Sequence, residues 1–437
     1  MSTSRSLPRL AAILYTSALL ALCSRVGAVL EVEITQGVEG AIPIAIAPFG
    51  GAEIASEHVD GVIESDLRNS GLFETLPPPR FPETPTPGQP PNLAAWRQAG
   101  VDYLVTGSLS PDGPGRYTVH AVLWNVLAGR PLLDFSVRAA AQALRRAGHQ
   151  IADRVYQELT GERGAFDTRI AYVAVRTRPD GTRRYLLQIA DSDGHNPRTV
   201  YDSPQPLLSP AWSPDGRRLA YVSFESGRAA VYVQELATGH RQQVSGGRGT
   251  RSAPAWSPDG QRLALALSVE GNFDIHVLEL ASGRLSRLTF GRAIDTEPVW
   301  SPDGKAIFFT SDRSGRPQVY RIAASGGPAQ RITFEGRYNA SPDVSPDGRW
   351  LAVVHLDRGG YRIATLDTAG GALQVLTDGR LDESPSFAPN GRLILYATEH
   401  AGRGVLAAVS RDGRVRVRLS TPDEDVREPA WGPYRHD

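Results

Sequence analysis

Leu219 to Phe224 is a short apolar run, a glycine-bearing loop follows it, and Val231 to Leu236 then alternates apolar with polar positions. After the small turn Thr238-Gly239 a last short run, Gln242 to Ser245, closes the set. Runs of this length bounded by turn residues predict strands. The same order recurs behind a fixed phrase. Pro210-Ala211-Trp212, Pro254-Ala255-Trp256, Pro298-Val299-Trp300 and Pro342-Asp343-Val344 each lead into Ser-Pro-Asp-Gly. Pro385-Ser386-Phe387 leads into Ala-Pro-Asn-Gly, and Pro429-Ala430-Trp431 into Gly-Pro-Tyr. Counted from Pro210, successive copies lie 44, 44, 44, 43 and 44 residues apart. Four short strands at this period predict one β-propeller blade per copy, and so a mainly β, six-bladed ring.

Ser-Pro-Asp-Gly suits a type I turn: serine favours the first position, proline fixes φ at the second and glycine suits the fourth. It therefore joins the first two strands of a blade. Six residues follow Trp431, which gives the last blade a first strand and no others. The segment from Thr168 offers the complement, three strands at Arg169 to Val175, Arg184 to Ala190 and Arg198 to Tyr201. Sharing the sixth blade between the two ends of residues 168–437 closes the ring and removes a free sheet edge. The Trp, Val or Phe after each Pro-x is expected where neighbouring blades pack.

This strand order puts the tight turns on one rim and the longer connections on the other. Those connections, residues 205–209, 246–253, 291–297, 335–341, 378–384 and 421–428, each lead into an innermost strand. The residues just before the six prolines, Ser209, Ala253, Glu297, Ser341, Ser384 and Glu428, are expected on exposed loops around the channel mouth. Binding residues concentrate on loops held by a rigid scaffold, so the main site is expected there.

Residues 29–165 read as a separate α/β domain. Ile42 to Pro48 is an apolar strand, and Glu57 to Ser70 has helical spacing with Val59, Val62, Ile63 and Leu67 on one side. The proline-rich stretch 77–91 predicts extended loop. Strands follow at Tyr103 to Leu109 and Tyr117 to Val126, then a helix from Ala139 to Leu159. A seventh Ser-Pro-Asp-Gly, at 110–113, lies 103 residues before Ser213, out of step with the repeat, and is expected as an ordinary hairpin turn.

The first 28 residues have the layout of a secretory signal: Arg5 and Arg9, an apolar stretch from Leu10 to Cys23, and Val26-Gly27-Ala28 as a small-residue cleavage site. The stretch is short for a membrane span, so removal rather than insertion is expected. Cys23 is the single cysteine, and Leu22 before it disfavours lipid anchoring. Cleavage after Ala28 leaves a mature chain with neither disulfides nor thiol chemistry. It also removes three arginines, leaving 44 basic against 47 acidic residues, a net charge of −3. No basic run points to nucleic acid.

Candidate chemistry is sparse. There is no Gly-x-Ser-x-Gly elbow, and the nine histidines include no HExxH and no close pair, so they read as isolated imidazoles. Asp295, Glu297, Asp382, Glu383 and Glu428 fall on the mouth connections. They read either as a solvated acidic rim that docks a partner's basic groups, or as a hydrolase site with Ca²⁺ in the channel.

The repeats, together with 65–71 (Ser-Asp-Leu-Arg-Asn-Ser-Gly), 168–173 (Thr-Arg-Ile-Ala-Tyr-Val), 203–207 (Ser-Pro-Gln-Pro-Leu) and 224–228 (Phe-Glu-Ser-Gly-Arg), resemble the TolB family of the Tol-Pal system of Gram-negative bacteria. The resemblance runs from about Glu31 to the end. It implies a periplasmic, monomeric, non-enzymatic adaptor without a cofactor, acting in outer-membrane invagination at cell division and in envelope integrity. Its implied partners are the peptidoglycan-associated lipoprotein Pal at the propeller mouth and TolA of the inner membrane at the mature N-terminus, with no nucleic acid and no direct membrane insertion. The implied Pal site comprises Pro206, Leu208, Ser209, Thr250, Ala253, Thr296, Glu297, Ser341, Glu383, Ser384 and Glu428. The implied TolA site lies in residues 29–39 and comprises Leu30, Glu31, Val32, Glu33, Ile34 and Thr35. Val344, Phe387 and the loop Gly249-Thr250-Arg251-Ser252 depart from the family's usual forms.

Overall fold

A computed structural model describes residues 32–34, 40–52, 55, 57–244, 250–268, 271–421 and 424–435. The expected signal segment, 1–28, lies outside the described residues. Among those described, no helix is long and apolar enough to cross a membrane.

The chain from Arg169 forms six antiparallel sheets arranged as blades. Blade 1 contains Leu207–Trp212, Arg218–Ser223, Ala230–Glu235 and Arg241–Gln243, from the channel outwards. Blade 2 begins with Thr250–Trp256, blade 3 with Asp295–Trp300, blade 4 with Asn339–Val344 and blade 5 with Glu383–Phe387. Blade 6 joins the chain ends, pairing Asp425–Trp431 with Arg169–Thr177. In the first turns of blades 1 to 4, serine has two functions. The Gly216 N–H donates to Ser213 O at 2.8 Å, and Ser213 Oγ accepts from the Arg218 N–H at 2.9 Å.

The repeated aromatics lock one blade to the one before. Trp212, Trp256 and Trp300 are buried, and their indole N–H groups donate to Ala430 O, Ala211 O and Ala255 O at 3.1, 3.1 and 3.2 Å. Val344 and Phe387 have no such donor, and the cross-blade bond there takes another form. Asp343 Oδ2 accepts from the Phe387 N–H at 2.6 Å, and Ser386 Oγ accepts from the Trp431 N–H at 2.9 Å.

The N-terminal domain is a mixed sheet in the order Phe73–Thr75, Ile42–Ile46, Tyr103–Pro111, Arg116–Asn125, Arg130–Ala140. Helices α1 (Val59–Asn69), α2 (Leu93–Gln98) and α3 (Leu144–Thr160) complete it. The helix expected from Ala139 instead starts at Leu144. Residues 130–140 are a strand, in which Leu133, Phe135, Val137 and Ala139 face inwards at period two.

This domain sits on the tight-turn rim of blades 5 and 6, and among the described residues none of it reaches the opposite rim. Arg392, beside the first turn of blade 5, donates from Nε to Glu162 Oε2 at 2.6 Å. Gly71 lies so close to blade 5 that a Cβ there would come within 2.1 Å of Val415 Cγ2. The connection between the domains is pinned as well. The Asp153 carboxylate accepts from the Phe166 and Asp167 N–H groups at 2.8 and 3.1 Å, and Asp167 in turn accepts from Arg146 Nε at 3.0 Å. One further strand, Val32–Ile34, runs antiparallel to Val415–Arg418 on the outer edge of blade 5.

Candidate functional site

Each innermost strand carries one residue too many. Leu208 opposes Val222 and Ala211 opposes Ala220, so three steps on the inner strand match two on its neighbour, and the other five blades repeat this bulge. The extra residue is the one before proline, and at all six positions it has left-handed φ: Ser209 49°, Ala253 48°, Glu297 52°, Ser341 49°, Ser384 55° and Glu428 54°. Non-glycine residues rarely adopt this conformation, which costs on the order of 1–2 kcal/mol each. A bulge bends the strand and re-aims its side chains, so six strained positions ring the channel mouth.

The expectation that these residues lie on exposed loops is corrected. Ser209, Ala253, Glu297, Ser341, Ser384 and Glu428 are strand residues and half-buried, as are Leu208, Thr296 and Glu383. Pro206 lies just outside its strand and is half-buried. Thr250 opens the first strand of blade 2. In the N-terminal segment, Val32, Glu33 and Ile34 form the added edge strand, while Leu30, Glu31 and Thr35 lie outside the described residues.

The bulge frees a backbone N–H that reaches the blade before it. The Ser341 N–H donates to Glu297 Oε2 at 2.9 Å and its Oγ to Glu297 Oε1 at 2.6 Å, while Thr310 Oγ1 holds Oε2 at 2.7 Å. The Ser209 N–H donates likewise to Glu428 Oε2 at 3.2 Å. Burial pushes the Glu428 carboxyl up to about 7; the Ser209 N–H opposes this, and repulsion from Glu383 and Glu297 adds to it. Burial also raises Glu383, against the attraction of Arg427. The channel acids thus attract a proton or a partner's cationic group.

The rest of the expected acidic rim is not solvated. Asp295 is fully buried and bidentate to Arg313, and Asp382 is buried and accepts from the Thr377 and Thr398 hydroxyls. Among the described residues, one group brings three potential metal ligands together, and it lies away from the mouth: Asp66, His149 and Asp193, at the domain interface. This corrects the reading of the histidines as isolated. His149 Nδ1 is 2.7 Å from Asp66 Oδ2. Burial opposes charge on this imidazole, but Asp66 and Asp193 raise it to about 9. Arg145 donates to Asp193 and pairs with Glu57 at 3.2 Å. The cluster is therefore a charged clamp between domains, its negative charge met by a guanidinium and a protonated imidazole.

Sequence reading missed Thr310, which clamps Glu297 from the second strand, and a set of exposed apolar side chains on and beside the mouth connections. Phe290 and Phe334 are 69% and 71% exposed, and Ile294, Tyr361 and Leu381 are exposed too. Thr-Phe at the head of polar connections, at Phe290 before Gly291-Arg292 and at Phe334 before Glu335-Gly336-Arg337, was the available signal.

Glu428 gives the site a pH signature. Its folded value of about 7 lies above the ordinary 4.5, so its stabilising contribution is complete below pH 4.5 and is lost as pH rises through 7. Glu428→Gln is expected to remove this dependence, shifting the variant's stability relative to wild type by up to about 3 kcal/mol between about pH 4 and 8.5. Chemical denaturation at a series of pH values checks it, and parallel profiles would refute it.

Comparison with known proteins accords with this architecture. Residues 30–132 match the family described as TolB amino-terminal domain, and residues 156–435 match TolB beta propeller domain. The chain is 62% identical over 412 residues to the Tol-Pal system protein TolB of Thioalkalivibrio sulfidiphilus, covering 93% of this chain and 94% of that one. It is 61% identical over 407 residues to the protein of the same name from Nitrosococcus oceani, with the same coverage. The crystal structure of TolB from Acinetobacter baumannii superposes with a TM-score of 0.85 at 41% identity, over 92% of this chain and all of that one. The chain belongs to the TolB family and is a component of the Tol-Pal system.

Proposed function

We propose that the chain is a non-enzymatic periplasmic adaptor that binds Pal at the propeller mouth and TolA through its mature N-terminus, in support of outer-membrane invagination and envelope integrity. The observation that carries this reading is the seating of the two domains. The N-terminal domain occupies the tight-turn rim, so the mouth, with its six strained bulges, is left open to a partner. Strain of this kind persists where the surroundings over-determine it, as at binding sites.

The second contact rests on Val32–Ile34. This segment already pairs with Val415–Arg418 by main-chain hydrogen bonds, the mode by which an extended peptide adds to a partner's sheet edge. Pairing within the chain and pairing with TolA then compete for one set of backbone groups. Any effect of Pal on that pairing must be matched by an equal effect of TolA on Pal affinity.

Calorimetric titration tests the assignment. The mature chain is expected to bind Pal with a Kd of about 1 μM or tighter and to turn over no substrate. A chain lacking residues 29–39 is expected to keep its Pal affinity and lose TolA. Retained TolA binding in the truncated chain would remove the segment from the site.

A further inference from the structure

The mouth is not uniform around the ring. Of the eight exposed large apolar side chains among the described residues, five surround it at blades 3 and 4: Phe290, Ile294, Phe334 and Leu381 on or next to the connections, and Tyr361 at the start of the third strand of blade 4, bridged to Leu381. Arginines are interleaved with them. Arg287 lies over the Phe290 ring at 4.8 Å and Arg331 over the Phe334 ring at 5.1 Å. Five more are exposed and have no ion-pair partner among the described residues: Arg292, Arg337 and Arg380 on the same connections, and Arg316 and Arg358 on the turns between the second and third strands of blades 3 and 4.

The acids of this sector are held by other groups and form no ion pair with these five arginines. Asp295 is held by Arg313, Asp357 pairs with Arg362 at 3.4 Å, and Asp378 pairs with Arg416 at 2.7 Å. Asp312 accepts from the Ile294 N–H at 2.8 Å, and Glu335 from the Leu373 N–H at 3.0 Å. The sector thus presents free guanidinium groups beside exposed rings, while the channel at its centre presents the Glu297, Glu383 and Glu428 carboxylates.

We propose that blades 3 and 4 form a docking arc for an acidic, apolar-studded face of Pal, and that this arc, rather than the channel, steers the encounter and sets the partner's orientation. The inference rests on the mouth being the Pal site and adds which face of Pal it takes. Arginine and aromatic residues dominate the energetics of interface centres. Large contiguous apolar exposure on a soluble domain marks a contact surface. Unpaired guanidinium forks are satisfied best by carboxylates, which they bind in bidentate fashion. A basic arc beside an acidic channel makes the mouth electrically two-sided, so a partner with carboxylates on one flank and a basic group towards the channel has one favoured orientation.

The test is the association kinetics of purified Pal with the full mature chain, wild type against the triple variant Arg316→Glu, Arg337→Glu and Arg380→Glu, across a salt series. All three positions are on exposed turns and connections, so folding is expected to be unaffected, and thermal melting checks that. The expected result is a fall in kon of about tenfold or more at low ionic strength, narrowing as salt screens the charges. Phe334→Ala keeps the charge and is expected to raise koff by roughly tenfold with kon little changed. Wild-type association with kon and salt slope equal to those of the triple variant would overturn the arc and leave the mouth assignment standing. Failure of the wild-type chain to bind Pal at any salt would overturn both.

Discussion

Trp256→Ala is expected to lower stability by about 3–5 kcal/mol, the range for truncating a buried large aromatic. The indole is 8% exposed and belongs to a cluster that draws Ala220, Val222 and Val231 from blade 1 together with Leu263, Leu265 and Leu278 from blade 2. Its N–H bonds to Ala211 O, and the Arg218 guanidinium lies 4.6 Å over its ring, both in blade 1. Removing the side chain empties the seam between two blades, whereas Trp256→Phe keeps most of the contact and loses chiefly the hydrogen bond, costing about 1 kcal/mol. The two variants therefore separate packing from hydrogen bonding. Denaturant midpoints for both, measured against the parent, check the assignment, and a Trp256→Ala midpoint equal to the parent's would refute the packing role.

The propeller was legible because its code is periodic. Six copies of one proline-led phrase, five of them Pro-x-aromatic, at a spacing of 43 or 44 residues fix the blade count, and the mismatched ends at Thr168 and Trp431 dictate how the ring closes, as the pairing of Asp425–Trp431 with Arg169–Thr177 bears out. The N-terminal domain has no repeat, and one strand there was missed. Leu133, Phe135, Val137 and Ala139 alternate at period two, but alanine favours helices and drew residues 139–143 into the helix that follows.

At the mouth, the six pre-proline residues were identified by position, yet their left-handed backbone was not. Proline disfavours helical backbone in the residue before it and favours extended backbone, so nothing local announces a left-handed residue at that point. The strain is imposed by the ring: the innermost strand must bend to line the channel, and the added residue provides the bend. The clamp of His149, Asp66 and Asp193 was illegible for a different reason. Its members are 44 to 127 residues apart in sequence: Asp66 and His149 meet through the packing of α1 on α3, and Asp193 joins them only when the propeller seats against that domain.

The central claim is that the open mouth, opposite the N-terminal domain, is where Pal binds. Thr296→Arg and Ala253→Arg place bulk and charge there with little cost to the fold. Both residues are half-buried at the bulge, and Ala253 already carries a Cβ at positive φ, so arginine adds no new backbone strain. Gln261→Arg, on an exposed turn of the tight-turn rim of blade 2, makes the same change of charge on the other side of the ring. Calorimetric titration of Pal into the three variants, each matched to wild type by melting temperature, is the most direct test. A Kd raised about 100-fold or more in both mouth variants, with Gln261→Arg unchanged, is the predicted result. Wild-type affinity in both mouth variants, with loss in Gln261→Arg, would move the Pal site to the opposite rim and contradict the account.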